Sequence, residues 1–462
     1  MKNKSLILFF LTFSLNLILF AQSGFEKLYA PYANKTHAGY SIVQSFNSGY
    51  IITGNVYSTS SYSNVLLMKI NNSGDITWVK NFSIYQNAIG KCIRRTTDSC
   101  YIICGRTGNI FQGFLMKIND NGDTLWTRRY IFSGYTSMES VNLTKDGGFI
   151  LSGYVSNPNG TSMLIMKVNQ AGQEIWHKLY GNPNHENCGN SVQETSDNGF
   201  IIAGSVEWYM ADSTLAFLTK TDAQGNLSWM RYFGNNISSG AYSVVQSPDG
   251  GFLWAGRYHG NAFIIKCSNT GDSLWARQMA LNSVQANSII STPDSGFACC
   301  GTSYNTTTCG VFLSKLDQAG NIQWSHNYNQ TGSRYGYQVN QSQDNGYIIV
   351  GIKETYASSM DSIYIIKSDT NGIITGDSYK NPIYENKMIV FPNPVCDKIT
   401  LELLDFDGSG TVTVLTSSGT EISNQTISDK KIAIDLSRLQ NGVYFIKVRT
   451  KGLVGVEKVI KI

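Results

Sequence analysis

The stretch that decides the fold is residues 243–277, SVVQSPDGGFLWAGRYHGNAFIIKCSNTGDSLWAR. Two turn sequences divide it, Asp249-Gly250-Gly251 and Asn269-Thr270-Gly271-Asp272, and each contains the glycine that a tight hairpin needs for a positive φ. The apolar segments around these turns predict four strands, at residues 243–247, 252–255, 262–267 and 273–277. The stretch is therefore typical of a four-stranded antiparallel sheet.

The same pattern recurs along the chain at intervals of about 50 residues. Three markers keep the same phase: a glycine after the second strand, a lysine in the third strand and a tryptophan in the fourth. The glycines are Gly54, Gly105, Gly153, Gly204, Gly256, Gly301 and Gly351; the lysines are Lys69, Lys117, Lys167, Lys220, Lys266, Lys315 and Lys367; the tryptophans are Trp78, Trp126, Trp176, Trp229, Trp275 and Trp324. Seven copies predict an all-β fold, a seven-bladed β-propeller with four-stranded blades over residues 23–376.

The last copy has no tryptophan, because Gly376 occupies that position. The segment Phe25-Glu26-Lys27-Leu28-Tyr29 is similar to Trp176-His177-Lys178-Leu179-Tyr180. We therefore expect the N-terminal segment to supply the outer strand of blade seven, which removes an exposed sheet edge. The Gly-x-x-x-Trp ending of the repeat resembles the tryptophan-docking motif of quinoprotein propellers, and this resemblance concerns blade construction only.

The N-terminus has the pattern of a targeting segment. Lys2 and Lys4 precede an apolar stretch over residues 6–20, and Ala21 follows it. This order predicts a cleaved signal peptide over residues 1–21. The alternative, a membrane anchor, is less favoured because the apolar stretch is shorter than the roughly 20 residues that span a bilayer.

Bulk composition excludes some classes of function. The formal net charge is +4 with no basic run, so no nucleic-acid partner is expected, and no cofactor or metal motif occurs. The nine cysteines are irregularly spaced and do not form a disulfide framework. Cys92 and Cys104 lie opposite each other if the turn near Asp98 closes a hairpin; a disulfide and two small core residues are both open interpretations.

A different unit begins at Met388, after a predicted linker over residues 377–387. It opens with Phe391-Pro392-Asn393-Pro394 and continues through Asp435-Leu436-Ser437, Gly442-Val443-Tyr444 and a basic last strand, in the pattern of a small Ig-like β-sandwich. Residues 388–462 closely resemble the type A C-terminal sorting domain of the type IX secretion system of Bacteroidetes-like bacteria. The resemblance implies contact with that secretion machinery, removal of the domain, and either release or attachment to surface lipopolysaccharide.

The candidate chemistry within the repeat is sparse. The vicinal pair Cys299-Cys300 occupies a small core position and favours packing over a quinoprotein site. The repeated lysines are expected to pair with carboxylates of the turns. Arg95 and Glu194 occupy equivalent inner-strand positions and are candidates to line the channel.

Aromatic residues are frequent in the loops between the second and third strands, which vary from copy to copy. The candidate binding residues are Tyr57, Tyr62, Trp208, Tyr209, Tyr258, Tyr304 and Tyr356. Variable loops on a rigid frame commonly carry binding sites. We therefore predict a cell-surface or extracellular binding module for a glycan or another polymer. The alternatives are a structural or adhesive surface component and a channel-centred hydrolase or lyase.

Overall fold

The structure is a computed structural model. It describes residues 24–33, 35–57, 62–84, 86–109, 112–158, 160–181, 185–208, 213–234, 238–279, 283–305, 308–328, 332–355, 360–375, 388–391, 395–403, 408–417, 419–450 and 454–461. The predicted signal peptide and the predicted linker lie outside these residues. The regular secondary structure of these residues consists of β-strands. None of them forms a helix long and apolar enough to cross a membrane.

The described part of residues 24–375 is a succession of short strands of similar length. In chain order they are β1 (Phe25–Tyr29), β2 (Thr36–Gln44), β3 (Tyr50–Tyr57), β4 (Ser63–Ile70), β5 (Ile76–Phe82), β6 (Ile89–Arg95), β7 (Tyr101–Thr107), β8 (Gln112–Ile118), β9 (Thr124–Tyr130), β10 (Tyr135–Leu143), β11 (Phe149–Asn157), β12 (Gly160–Val168), β13 (Glu174–Tyr180), β14 (His185–Glu194), β15 (Phe200–Trp208), β16 (Ser213–Thr221), β17 (Leu227–Phe233), β18 (Gly240–Gln246), β19 (Phe252–Tyr258), β20 (Asn261–Cys267), β21 (Ser273–Gln278), β22 (Ser283–Ser291), β23 (Phe297–Asn305), β24 (Thr308–Leu316), β25 (Ile322–Tyr328), β26 (Arg334–Gln341), β27 (Tyr347–Lys353) and β28 (Ser362–Ser368).

These strands form antiparallel four-stranded sheets in chain order: β2–β5, β6–β9, β18–β21 and β22–β25. Strands β10–β17 form one eight-stranded sheet, in which β10–β13 and β14–β17 are joined by a single parallel pair, Thr161 with Glu186. A further sheet has the order β1-β28-β27-β26. We call each set of four strands a unit, and number its strands first to fourth along the chain, with β1 as the fourth strand beside β26–β28. The all-β, four-stranded, propeller-like organisation that the repeat predicts is therefore present.

In every unit except β2–β5, the repeated lysine of the third strand pairs with an aspartate in the turn between the first two strands. In the unit β18–β21, Asp249 Oδ1 accepts a hydrogen bond from Gly251 N and contacts Lys266 Nζ at 2.6 Å. Gly250 has φ 82°, a backbone conformation that suits glycine. Equivalent pairs are Lys117 with Asp98, Lys167 with Asp146, Lys220 with Asp197, Lys315 with Asp294 and Lys367 with Asp344. The predicted pairing of the repeated lysines with turn carboxylates is confirmed.

Adjacent units pack through an aromatic ring and a glycine turn. The ring of Trp126 lies against Gly172 of the following unit, where an added Cβ would come within 2.7 Å of it, and Tyr130 donates a hydrogen bond to the Gly172 carbonyl at 2.8 Å. Phe25 and Tyr29 of β1 make the same two contacts with Gly74 of the unit β2–β5. The N-terminal strand therefore packs as the fourth strands of other units do.

Strand β1 pairs with β28 in antiparallel register, from Phe25 opposite Lys367 to Tyr29 opposite Ile363. The sheet that contains β1 also contacts the first complete sheet: β2 packs against β26, β27 and β28. One apolar core joins them, with Ile52 of β3 and Val350 of β27 both buried in it. The beginning and end of the repeat region are therefore neighbours in space.

Cys92 and Cys104 are directly opposite in the register of β6 and β7, as the hairpin interpretation expects. Both are buried and both thiols are free. Cys299 and Cys300 are also buried, and burial raises the pKa of each thiol. These four side chains fill the core.

The described residues from 388 to 461 form a separate set of strands: β29 (Met388–Phe391), β30 (Lys398–Leu403), β31 (Gly410–Thr416), β32 (Glu421–Ile427), β33 (Lys431–Asp435), β34 (Gly442–Thr450) and β35 (Val454–Lys461). They make one sheet of order β29-β30-β33 and one of order β32-β31-β34-β35. Leu401 from the first sheet and Ile446 from the second are fully buried in a common core. Two sheets over one core match the predicted small sandwich.

Candidate functional site

The ends of the strands define a variable face. Thr36, at the start of β2, pairs with Tyr57, at the end of β3, and Tyr135 pairs with Ser156 in the same way. The starts of the first strands and the ends of the second strands therefore lie at the same end of each unit. The loops between second and third strands, and the connections between units, are also at this end. We call it the variable face.

Exposed aromatic side chains gather on this face. Among the described residues, five tyrosine side chains are exposed. Four lie at strand ends or loops of the variable face: Tyr57, Tyr62, Tyr135 and Tyr304. The fifth, Tyr232, is 52% exposed on a fourth strand, at the outer side of its sheet. Aromatic rings supply flat apolar surfaces with a polar tip, which suits recognition of a ligand at a wet surface.

The other predicted binding residues have different positions. Tyr258 is half-buried, and its ring stacks on His259 with the ring centres 4.2 Å apart. Tyr209, Tyr356 and the side chain of Trp208 lie outside the described residues. The sequence prediction also omitted Tyr135, because this residue lies in the connection between units instead of the loop between second and third strands.

Arg95 and Glu194 lie at the opposite end of their strands, next to the first hairpin turn. The Arg95 guanidinium lies 3.8 Å from the ring centre of Phe46, in the neighbouring unit. Glu194 Oε2 accepts a hydrogen bond from Lys145 N of the unit β10–β13 at 2.7 Å. In the structure both side chains therefore contact an adjacent unit.

Tyr135 lines two cavities on the variable face. One is a cavity of about 420 Å³ with a mainly apolar wall that includes Phe132 and Pro158. The other is a cavity of about 370 Å³, lined in part by Tyr154, Glu186 and Cys188. Both volumes fall within the range of small-molecule sites. The second cavity lies where the units β10–β13 and β14–β17 meet.

A β-bulge interrupts the first strand of every unit at the same place. The register of each first strand skips one residue at this place, and the skipped residues are Tyr40, Lys91, Glu139, Asn190, Tyr242, Asn287 and Tyr337. Strand β22 has a second irregularity, at Val284. We call these the bulge residues. Bulges re-aim a side chain out of the regular alternation of a strand, and they are frequent beside functional sites. Every residue at this position has a polar group.

Four bulge residues from adjacent units contact one another. Lys91 Nζ lies 3.2 Å from Glu139 Oε2 and 5.2 Å from the ring centre of Tyr40. The ring of Tyr40 lies 5.6 Å from that of Tyr337. Ser137 Oγ donates a hydrogen bond to Glu139 Oε1 at 2.5 Å. The first strands β26, β2, β6 and β10 therefore bring a lysine, a glutamate and two tyrosines together.

The charges of this group stabilise one another. The charge of Glu139 raises the pKa of Lys91, against the effect of burial. Burial raises the pKa of Glu139, but Lys91, Ser137 and Arg106 outweigh it, so that this pKa lies below its ordinary value. Both groups are therefore ionised at neutral pH. Burial raises the pKa of Tyr40, so its phenol is neutral there.

Arg106 and Tyr154 connect this group to the second cavity. Arg106 follows Gly105 in β7 and forms a hydrogen bond with Tyr154. Tyr154 and Cys188 both line the cavity, and both lie close enough to Glu139 for its charge to raise the pKa of each. Two residues that line the second cavity therefore lie within electrostatic range of Glu139.

The sequence analysis did not predict that the bulge residues Lys91, Glu139, Tyr40 and Tyr337 contact one another. The signal for these residues was present in most of the first strands, where a variable polar residue stands between two small ones, as in Gly39-Tyr40-Ser41 and Gly90-Lys91-Cys92. Only the register shows that the middle residue bulges. Within the described ranges, no group of three or more His, Cys, Asp or Glu side chains could hold a metal ion.

Comparison with known proteins gives one family match and several structural likenesses. Residues 389–462 match the family described as secretion system C-terminal sorting domain. No curated protein matches the chain. Similar solved structures include Sqt1 from Chaetomium thermophilum (8% identity, 73% of this chain and 96% of that chain, TM-score 0.47), YCF48 bound to D1 peptide (9%, 75% and 96%, 0.45) and the polysaccharide lyase Uly1 (10%, 72% and 90%, 0.46).

The C-terminal match agrees with the resemblance drawn from the sequence motifs and with the two-sheet fold of the region. Such a domain implies export through the type IX machinery to the outer surface or the medium. Residues 389–462 are thus a type IX secretion system C-terminal sorting domain, which follows a repeat-built, all-β region in the same chain.

Proposed function

We propose that residues 23–376 form a seven-bladed β-propeller, which β1 closes by completing the last blade. Counting β10–β13 and β14–β17 as separate blades gives seven units. Each first strand contacts the next, from β2 through β6, β10, β14, β18 and β22 to β26, and β26 contacts β2. At this seam Ile42 N donates a hydrogen bond to Gln338 Oε1 at 2.8 Å. The proposed boundaries of the other regions are 1–21 for a signal peptide, 377–387 for a linker and 388–462 for the sorting domain.

We further propose that this region is an extracellular binding module for a polymer, with a glycan as the preferred class. The observation that carries the proposal is the concentration of exposed tyrosines on the variable face. Tyr57, Tyr62, Tyr258 and Tyr304 remain proposed contacts, as do Trp208, Tyr209 and Tyr356, and Tyr135 joins them. After export, removal of the sorting domain would release the module or attach it to surface lipopolysaccharide.

Binding is tested with the purified chain lacking residues 1–21, by sedimentation with insoluble polysaccharides and by affinity electrophoresis in soluble ones. Tyr135→Ala and Tyr304→Ala should each weaken binding about tenfold, by analogy with the loss of an aromatic anchor at an interface. Tyr232→Ala is the matched control, because it removes an equally exposed ring from an outer strand. Equal losses in all three variants would contradict a site on the variable face. Absence of binding to any polysaccharide, together with cell-surface defects in a deletion strain, would favour the structural or adhesive alternative.

An enzyme is the second candidate, because Lys91 and Glu139 lie beside tyrosines at the inner strands. Paired ionisable groups of this kind can serve in proton transfer. Release of reducing ends or unsaturated products from a polymer that binds would support a hydrolase or a lyase. In that case Glu139→Gln should abolish product release while Tyr232→Ala leaves it unchanged.

A further inference from the structure

One position of the repeat carries a pair of cysteines in a single unit. Cys92 of β6 stands directly opposite Cys104 of β7. In five other units the equivalent pair consists of small residues: Ser41 with Thr53, Ser140 with Ser152, Ser191 with Ala203, Ser243 with Ala255, and Ser288 with Cys300. Within the described strands, no other two cysteines stand opposite each other.

The two cysteine side chains leave the β6–β7 hairpin on the same face, as residues that are opposite in register do. Cys92 Sγ donates a weak hydrogen bond to the Val141 carbonyl at 3.7 Å, and Cys104 Sγ donates one to the Met138 carbonyl at 3.6 Å. Both carbonyls belong to β10. The two sulfur atoms are also within hydrogen-bonding reach of each other. They therefore share one narrow space between the units β6–β9 and β10–β13.

The separation of opposite residues is close to the one that a disulfide bond needs. Directly opposite residues of an antiparallel pair have Cβ atoms about 4.5–5.5 Å apart. A disulfide places its Cβ atoms about 3.5–4.5 Å apart. A displacement of about 1 Å therefore allows the bond to form. The β-bulge at Lys91 adjoins Cys92, so the backbone there already departs from regular pairing.

Burial determines when such a bond can form. Cys92 is 5% exposed and Cys104 is fully buried. Thiol–disulfide exchange needs access to the sulfur atoms, so it must precede the packing of β10 on the hairpin. The sorting domain implies that the chain leaves the cytoplasm. The compartments outside the cytoplasm are oxidising, and thiols that approach each other there are commonly joined.

We propose that Cys92 and Cys104 of the exported chain are joined by a disulfide bond, which forms before the unit β6–β9 packs on β10. The two thiols lose two protons and two electrons. The oxidant is another disulfide, of a protein or of a small molecule, and it is reduced to two thiols. The structure holds the reduced pair. This inference depends on export and is independent of the proposed binding function.

The first experiment locates the bond by sequential labelling. The full chain is produced in a host with the type IX machinery, and the exported protein is collected into acid and denatured with iodoacetamide. It is then reduced, labelled with N-ethylmaleimide and analysed by peptide mass spectrometry. Cys92 and Cys104 should carry the second label, whereas Cys100, Cys299 and Cys300 should carry the first. The first label on Cys92 and Cys104 would overturn the proposal, and so would a bond from Cys92 to Cys100.

The second experiment measures what the bond contributes. The exported protein should melt about 4 °C lower in dithiothreitol than without it. The double variant Cys92→Ser, Cys104→Ser reproduces the pair of Ser140 and Ser152 and should melt at one temperature in both buffers. The chain lacking residues 1–21, made in a reducing cytoplasm, should do the same and should carry only the first label. Equal melting temperatures of the exported protein in the two buffers contradict the bond. The labelling result needs no variant, so it decides the matter even where the double variant does not fold.

Discussion

Lys69 forms its ion pair with Asp120, a residue of the neighbouring unit, whereas the equivalent lysines pair with an aspartate of their own first hairpin. The reason is a substitution in the repeat, because Asn47 occupies the position of that aspartate. Asp120 also accepts hydrogen bonds from Ser45 at 2.8 Å and from Tyr101 at 2.6 Å. One carboxylate therefore joins the units β2–β5 and β6–β9.

We predict that Asp120→Asn destabilises the repeat region by about 3 kcal/mol, because it leaves the buried ammonium of Lys69 without a charged partner. The measurement is equilibrium unfolding in guanidinium chloride. Asp123→Asn is the control. Asp123 lies in the same turn as Asp120 and pairs with Lys80 of β5, but Asp123 is exposed and Lys80 is partly exposed, so little or no change is expected. Equal losses in the two variants would contradict this account of Asp120.

Acid should unfold the protein over a defined pH range. Hydrogen bonds from Lys167, Thr144 and Gly148 outweigh burial and lower the pKa of Asp146 to about 2, from an ordinary value of 3.8. Asp197, Asp249 and Asp294 are shifted to the same value by equivalent partners. A depressed carboxyl pKa in the folded state contributes stability above the unfolded pKa and loses it as the pH falls through the folded pKa.

The contribution of these aspartates to the free energy of unfolding should therefore change little from pH 7 to pH 5. It should fall steeply between about pH 4 and pH 2. Denaturant titrations at several pH values provide the measurement. A decline centred near pH 6 would show that other groups control acid stability.

The N-terminal strand should be essential to stability. Phe25→Ala removes a buried ring that packs on Gly74, and a loss of about 3–4 kcal/mol is expected. Deletion of residues 23–30 should have a larger effect, because β28 loses its partner. Leu125→Ala, at an exposed position of β9, is the control. Thermal unfolding of the deletion variant at the wild-type temperature would refute the role given to β1.

Removal of residues 389–462 should block the last export step. In a host with the type IX machinery, the shortened chain should fold and accumulate in the periplasm, because it lacks the sorting domain. Cell fractionation with an antibody to the repeat region measures this, and the full chain in the same host is the control. Normal amounts of the shortened chain at the surface or in the medium would contradict the requirement.

The repeat and its strands could be predicted from the sequence because their signals are local and periodic. The turn Asp249-Gly250-Gly251 and the strand Phe25–Tyr29 each carry the pattern of their equivalents in other units. The sequence analysis did not predict the role of Asp120, although the equivalent turns have no acidic residue at its position. Its partners Ser45 and Lys69 come from a different repeat, and only packing brings them to Asp120.

The same reason hid the charged group at the inner strands. Lys91 and Glu139 belong to separate repeats, and no motif links them. A bulge determines where each side chain points, and a bulge is a property of strand pairing that composition does not reveal. Tyr135 was missed because its loop was assigned to a connection between units.

The pairing of β1 with β28 also affects biosynthesis. Glu26 and its hydrogen-bond partner Tyr364 are 338 residues apart in the sequence, so strand β1 cannot pair until nearly the whole repeat region has been made. Closing so long a loop is entropically costly and slow. A chain that stops early would keep the edge of its last sheet open to aggregation and to proteases. The repeat region can therefore complete its folding only after the final repeat has been translated.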